Sequence, residues 1–465
     1  MICRLFVAAL ICTFLSGQAS PGSFSPRETR AIDRIARAEL KAFRAPGLVL
    51  AVVRQDSVAY LKAYGTADAE TGEAMAPEML VSVASITKLV TATTAAVLAA
   101  EGKLDLDAPI QTWLPGLPAR LGKLTMTQLL SHTSGLSDQA HPGLPPAGDG
   151  SLAGIGKAFK EAFLAEPGTQ WSYCNAAYTL AGCVIEAVEG KPFPAAVSRI
   201  LLQPLKLERT TFDPRLALTW PRAQGHDTRG SAAKVARPYN LGPSPAGGMA
   251  STVGDLARLA RALMSNGMLD GQRVLPPGVF AKLTRVHGRG GAFLGGERNY
   301  GFGLFLREHH GLKIAEHEGL LSGFGASFAL APGRGLAAIA VCNGRLSAPC
   351  RTTQAALEIA AGLAPASTEP AYVPIPPMEA ARLVGRYSNG AGDGLDIRLV
   401  DGNLGAWEKD RLHPILARKE GHLEIQGYPS LLPMPAAPLE LIAQDPAKPQ
   451  ELLRVMWGLL RRVEN

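Results

Sequence analysis

The stretch Ser85-Ile86-Thr87-Lys88-Leu89-Val90-Thr91-Ala92-Thr93-Thr94-Ala95-Ala96-Val97-Leu98-Ala99-Ala100, closed by Glu101-Gly102, has one charged residue, Lys88, before Glu101. Small and apolar residues occupy nearly every side of the helix this run predicts, so it belongs at the centre of a fold and not on its surface. Lys88 falls one turn after Ser85 on the same face. A cation near a helix N-terminus is electrostatically unwelcome, and burial disfavours its charge further. Both effects lower the amine's pKa, and a neutral amine beside a serine can take the hydroxyl proton and make it a nucleophile. The other Ser-x-x-Lys, Ser231-Ala232-Ala233-Lys234, stands between Arg229 and Pro238 with no such helix behind it. Ser85 is the candidate nucleophile.

Outward from this helix, residues 25–44 carry Ile32, Ile35, Ala36, Leu40 and Phe43 at helical spacing, and residues 48–53 and 57–63 read as strands. Helix patterns cover 152–165, 176–189 and 253–265. Strand patterns cover 300–307, 312–317, 326–330 and 336–342, and a last helix covers 352–363. This order predicts an α/β fold over residues 21–363: an antiparallel sheet flanked by helices, with a mostly helical domain inserted. Prolines 365, 370, 374, 376 and 377 mark 364–378 as a linker. Short strands such as 394–400 and 422–426 predict a small all-β domain over 379–465.

The 465 residues are 47% apolar and 19% charged, the balance of a folded globular chain, and the net charge of +7 is spread without a Lys/Arg run. With no nucleic-acid motif and no metal-like Cys/His spacing, neither nucleic acid, metal nor cofactor is expected. Residues 1–20 combine Arg4, an apolar run over 5–15 and Gly17-Gln18-Ala19, the pattern of a cleaved secretory signal, which predicts a periplasmic or secreted protein. No later stretch is long and apolar enough for a span. Cys174, Cys183, Cys342 and Cys350 follow the signal. Two alternatives stand: a loop-closing disulfide between Cys342 and Cys350, or four buried thiols.

Segment 85–115, ending in Trp113-Leu114-Pro115, resembles the penicillin-recognising serine hydrolases. The likeness is to the group of class C β-lactamases, D-alanyl-D-alanine carboxypeptidases, D-aminopeptidases and esterases. Ser131-His132-Thr133-Ser134-Gly135-Leu136 and Gly247-Gly248-Met249-Ala250-Ser251-Thr252 are similar to further signatures of that group. The resemblance implies a serine β-lactamase-like fold, an acyl-enzyme on Ser85, and a small-molecule or short-peptide substrate. Leu383-Val384-Gly385-Arg386-Tyr387 is similar to the opening of a lipocalin-like β-barrel appended in some relatives.

Tyr173-Cys174-Asn175, 88 residues after Ser85, matches the family's Tyr-x-Asn motif; Tyr387-Ser388-Asn389 matches in letters, inside a Gly-rich turn. The resemblance gives Tyr173 the acid/base role and Asn175 a substrate hydrogen bond. The lysine alongside is expected to lower the phenol's pKa from about 10. Among His141-x-Gly143, His309-x-Gly311 and His317-x-Gly319, only the last leads into a strand hairpin, so His317-Glu318-Gly319 is expected to border the cleft and His309 to be a solvated loop residue. The resemblance implies an oxyanion hole from the N–H groups of Ser85 and Leu320. His317 stands where β-lactamases carry lysine, which removes a permanent cation. Glu318, if it faces the cleft, repels a substrate carboxylate and favours a neutral ester or a D-amino-acid amide; strand alternation also allows it to point away. His132 reads as structural.

The expected function is ester or amide cleavage of the esterase or D-amino-acid amidase/peptidase type. A β-lactamase or D-alanyl-D-alanine carboxypeptidase, and an inactive exported binder, are the alternatives. The sequence leaves the oligomeric state open.

Overall fold

A computed structural model describes residues 23–463 apart from 143–150, 153–154, 229–232, 237–241, 243, 294–295, 322, 345–348, 365–371, 389–393, 409–410, 419–422, 427–435, 443–451 and 456–457. The expected signal at 1–20, residues 365–371 of the linker and Ser231-Ala232 lie outside these residues. Apolar residues at almost every position of Gly47–Arg54 (β1) and Leu336–Cys342 (β8) require cover on both faces, and both strands are central. With Ser57–Gly65 (β2), Gly288–Phe293 (β3), Gly296–Tyr300 (β4), Phe305–His309 (β5), Leu312–Leu321 (β6) and Phe324–Ala331 (β7), they form an eight-stranded sheet in the order β2-β1-β8-β7-β6-β5-β4-β3. Neighbouring strands are antiparallel, with Ala51 opposite Ile339 and His317 opposite Phe328.

Alternation along each strand separates two cores. Leu48, Leu50, Val52, Ala338 and Ala340 face Pro26–Phe43 (α1) and Cys350–Ala360 (α5). Val49, Ala51, Val53, Ile339 and Val341 face the helical lobe, which contains Thr87–Ala100 (α2), Asn175–Glu189 (α3) and Val253–Met264 (α4). Every residue of α2 from Thr87 to Leu98 is buried. Its threonines tolerate this because Thr93 and Thr94 donate their hydroxyl protons to Leu89 O (2.7 Å) and Val90 O (2.8 Å) of their own helix. On α1, Glu39 is buried, with Oε2 accepting the N–H (2.7 Å) and the hydroxyl of Thr352.

Two expectations change, and of the two alternatives for the cysteines the four buried thiols hold. Of the helix expected over 152–165, only Ile155–Ala158 is helical among the described residues. The strand expected over 300–307 is the end of β4 and the start of β5, parted by a turn at Gly303 (φ 67°). A Cβ at Gly303 would lie 2.8 Å from Lys88 O, so the missing side chain lets this turn press against α2. The disulfide is absent: all four cysteines are free and buried. Burial pushes the Cys342 thiol up to about 12, so it packs as a small protonated group and donates to Gly344 O (3.8 Å).

At the C-terminus, strands from Tyr372–Val373 to Gly458–Val463 form a second, nine-stranded sheet, and pairing of Arg411–Arg418 with Leu423–Gln426 closes it on itself. Tyr387, Leu395, Ile397, Ile415, Ile425 and Leu460 belong to its own core. Among the described residues no helix is long and apolar enough to cross a membrane.

Candidate active site

Ser85 lies in a 3₁₀ turn, Ala84–Ile86, that runs directly into α2. Ala84 is left-handed (φ 47°), a conformation that costs a non-glycine residue on the order of 1 kcal/mol. Thr87 holds the turn by donating to Ala84 O (2.6 Å) and accepting the Met249 N–H (3.2 Å). The Gly247–Thr252 signature therefore laces onto the head of α2. Thr91 adds a bond to Pro245 O (2.7 Å), and Gly182 of α3 makes room: a Cβ there would lie 2.2 Å from Pro245 Cγ. This packing delivers the Ala246 carbonyl to Lys88.

Lys88 is wholly buried. Its Nζ lies 3.2 Å from Ser85 Oγ, 2.8 Å from Asn175 Oδ1 and 2.7 Å from Ala246 O, none of them a carboxylate. Burial pushes its pKa down to about 7, against the weaker opposing pull of Asp138. A neutral amine has two N–H groups and one lone pair. The two carbonyl oxygens take the hydrogens, which leaves the lone pair for the Ser85 hydroxyl.

Tyr173 precedes α3, hydrogen-bonds with Ser85, and has its ring centre 4.6 Å from Lys88 Nζ. The expected fall of its pKa is overturned: burial pushes the phenol well above 10, outweighing the bond with Ser85. The neighbouring amine, itself half neutralised near pH 7, supplies too little charge to reverse this. His132 (φ 60°) packs its ring 4.3 Å from that of Tyr173, accepts the Cys174 N–H at Nδ1 (3.1 Å) and accepts the Ser172 N–H at its carbonyl (2.8 Å). It pins the Tyr173 segment, the structural role expected of it. Asn175, the first residue of α3, gives its Oδ1 to Lys88 and donates from Nδ2 to Asp138 Oδ2 (3.0 Å), leaving one N–H for a substrate.

Strand β6 passes close to the turn. A Cβ at Gly319 would lie 2.3 Å from Val83 O and 3.2 Å from Ser85 N, so Gly319 and the following Leu320 come beside Ser85 because glycine has no side chain. His317 is buried; its Nδ1–H donates to Glu318 O (2.6 Å), and its Nε2 accepts from the Tyr300 hydroxyl (3.1 Å). Burial pushes its pKa down to about 3, so the ring is neutral. Glu318 takes the other face. Its cross-strand partner Ser327 bonds Thr353 of α5 (2.7 Å), and its carboxylate pairs with the buried Arg298. It points towards Arg298 and α5, so its expected repulsion of a substrate carboxylate falls, and only the missing cation at position 317 remains as a ground for a neutral substrate. His309 is half-buried, not solvated, with Nε2 2.6 Å from Glu358 Oε1. Sequence reasoning missed Asp138, Tyr300 and the Ala246 carbonyl, which reach the site only when distant segments dock.

The beta-lactamase family matches residues 32–363. Esterase EstB of Burkholderia gladioli is 30% identical over 277 residues, covering 50% of this chain and 70% of its own. Penicillin-binding protein 4 of Amycolatopsis lactamdurans is 28% identical, covering 64% and 81%. Protein flp of Staphylococcus aureus is 25% identical over 67% of this chain, which spans 62% of that relative's length. In fold, the chain is similar to SurE (TM-score 0.70, 24% identity, 94% of this chain and 99% of that one). It is also similar to a D-amino acid amidase from Ochrobactrum anthropi (TM-score 0.58, 22% identity, 72% and 98%). A buried lysine at a serine's side, framed by this fold and these relatives, makes the chain a serine hydrolase that belongs to the beta-lactamase family.

Proposed function

We propose that this protein cleaves a neutral ester or amide through an acyl-enzyme on Ser85. The observation that carries the reading is the fully buried Lys88, whose Nζ lies 3.2 Å from Ser85 Oγ with its other hydrogen-bond partners both carbonyls. Lys88 takes the Ser85 proton as oxygen attacks the substrate carbonyl. Tyr173 stays protonated and acts as the donor that passes a proton towards the leaving group, recovering one from Lys88. The N–H groups of Ser85 and Leu320 hold the oxyanion, with Gly319 keeping the strand close enough to do so. Water then attacks the acyl-enzyme by the same proton path in reverse. Asn175 and the rim around His317 receive the substrate.

The neutral His317 supports an uncharged acyl group over a β-lactam or a C-terminal D-alanyl peptide, because it offers a substrate carboxylate no cation. Arg298 is already engaged by Glu318. The esterase relative supports the same choice. Residues 1–20 carry the further proposal that the enzyme is exported. The test is intact mass after brief mixing with p-nitrophenyl butyrate, together with steady-state rates on that ester and on nitrocefin. The expected result is an acyl adduct on Ser85, lost in Ser85→Ala, and a higher kcat/KM on the ester. A preference for nitrocefin overturns the substrate assignment, and an active Ser85→Ala overturns the mechanism.

A further inference from the structure

Asp138 stands in the 3₁₀ turn Asp138–Ala140, outside every motif that names the site, yet its carboxylate lies against the site's back wall. Oδ2 accepts from Asn175 Nδ2 (3.0 Å), while Oδ1 accepts the Ala176 N–H (2.9 Å) and the Cys174 thiol (3.3 Å). A side-chain amide is nearly symmetric in outline, so its partners decide which end faces where. An ionised carboxylate can only accept. It therefore holds the NH2 end of Asn175 and turns Oδ1 towards Lys88 Nζ, 2.8 Å away.

We propose that Asp138 is a positioning residue: by fixing the Asn175 amide it keeps two carbonyl acceptors on Lys88 and so leaves the amine's lone pair to Ser85. This rests on the reading of Lys88 as the base. With asparagine at 138, the new amide can donate to Asn175 Oδ1, the Asn175 side chain can turn round, and its N–H then competes with Ser85 for the lone pair. The titratable groups around Lys88 are Asp138, Cys174, Tyr173, Tyr178, His132 and His317. The thiol and phenols are protonated and the imidazoles neutral, so Asp138 is the charge in this set that favours the ammonium. Removing it lowers the Lys88 pKa further and moves the acid limb of the rate profile to lower pH.

The experiment compares Asp138→Asn, Asp138→Glu and Ser85→Ala in the full chain, following kcat and KM on p-nitrophenyl butyrate across the pH range. Asp138→Asn keeps an acceptor for the Ala176 N–H, so the helix cap survives. It is expected to lower kcat roughly tenfold with little change in KM, and to move the acid limb down by about half a pH unit. Asp138→Glu, which keeps the charge, is expected to hold the limb where it is in the native enzyme. The role of Asp138 is overturned if Asp138→Asn leaves kcat and the limb unmoved, or if the glutamate variant's limb moves as far as the asparagine's. If Asp138→Asn does not fold, Asp138→Ser, which also removes the charge and keeps an acceptor near the Ala176 N–H, takes its place in the same comparison. Turnover by Ser85→Ala instead overturns the underlying mechanism.

Discussion

Lys88 and Arg298 are both fully buried cations, one at the head of α2 and one on β4, and their surroundings are opposite. Arg298 pairs with Glu318 and lies 3.9 Å from Glu316, which in turn takes two bonds from Arg307 (2.7 and 3.0 Å). Lys88, among the described residues, hydrogen-bonds two carbonyls and a hydroxyl, with the Tyr173 ring alongside. A guanidinium cannot shed its proton at ordinary pH, so burying one requires carboxylates; an amine can, and does so when carboxylates are withheld. The cation kept from direct contact with a carboxylate is the one placed to react.

Replacing each cation by methionine sharpens that contrast. Lys88→Met is expected to lower kcat/KM by about 10³–10⁴-fold while raising the urea midpoint at pH 7. The sign follows from linkage. The folded pKa of about 7 lies below the ordinary 10.5, so the unfolded chain binds more protons between those values and native stability rises with pH there. The variant's advantage is therefore greatest below pH 7 and shrinks towards pH 10, which urea titrations at the two pH values check. Arg298→Met is expected to destabilise by about 3–5 kcal/mol, because it strands buried acids, with Glu318→Gln in the same chain recovering part of the loss in calorimetry.

Tyr173→Phe sits between the two regions. It should lower kcat roughly 100-fold while the acid limb stays near pH 7, since that limb belongs to Lys88. The smallest effect concerns Glu39, a buried acid that forms no ion pair among the described residues and whose carboxyl burial pushes up to about 7, against the weaker pull of Arg351. Its folded pKa exceeds the ordinary 4.5, so stability falls as pH rises through that interval. Glu39→Gln is expected to melt like the native protein at pH 5 and to be more stable by roughly 2 kcal/mol at pH 8.

The lysine side of this comparison was legible in the sequence and the arginine side was not. A helix of small, apolar and threonine residues with one charge announces both its burial and the anomaly, and Tyr173 could be placed by its motif and by the helix that follows. The carboxylates depend on facts that no local pattern holds. Whether Glu318 faces Ser85 or α5 is a matter of strand parity, and β6 is covered on both sides, so hydrophobicity does not mark its faces. Asp138 sits in a loop and becomes informative only when α3 docks against it. The strand expected over 300–307 failed for a similar reason: Gly301-Phe302-Gly303 turns because glycines can press against other backbones, Gly303 against α2.

The spacing between β6 and the head of α2 is set by a methyl group that Gly319 lacks. Anyone redesigning this enzyme for a bulkier acyl chain can draw on the loops and rim side chains, but not on that strand. A library varied at position 319 should lose its members to misfolding before their selectivity can be scored, because main chain would be driven into main chain.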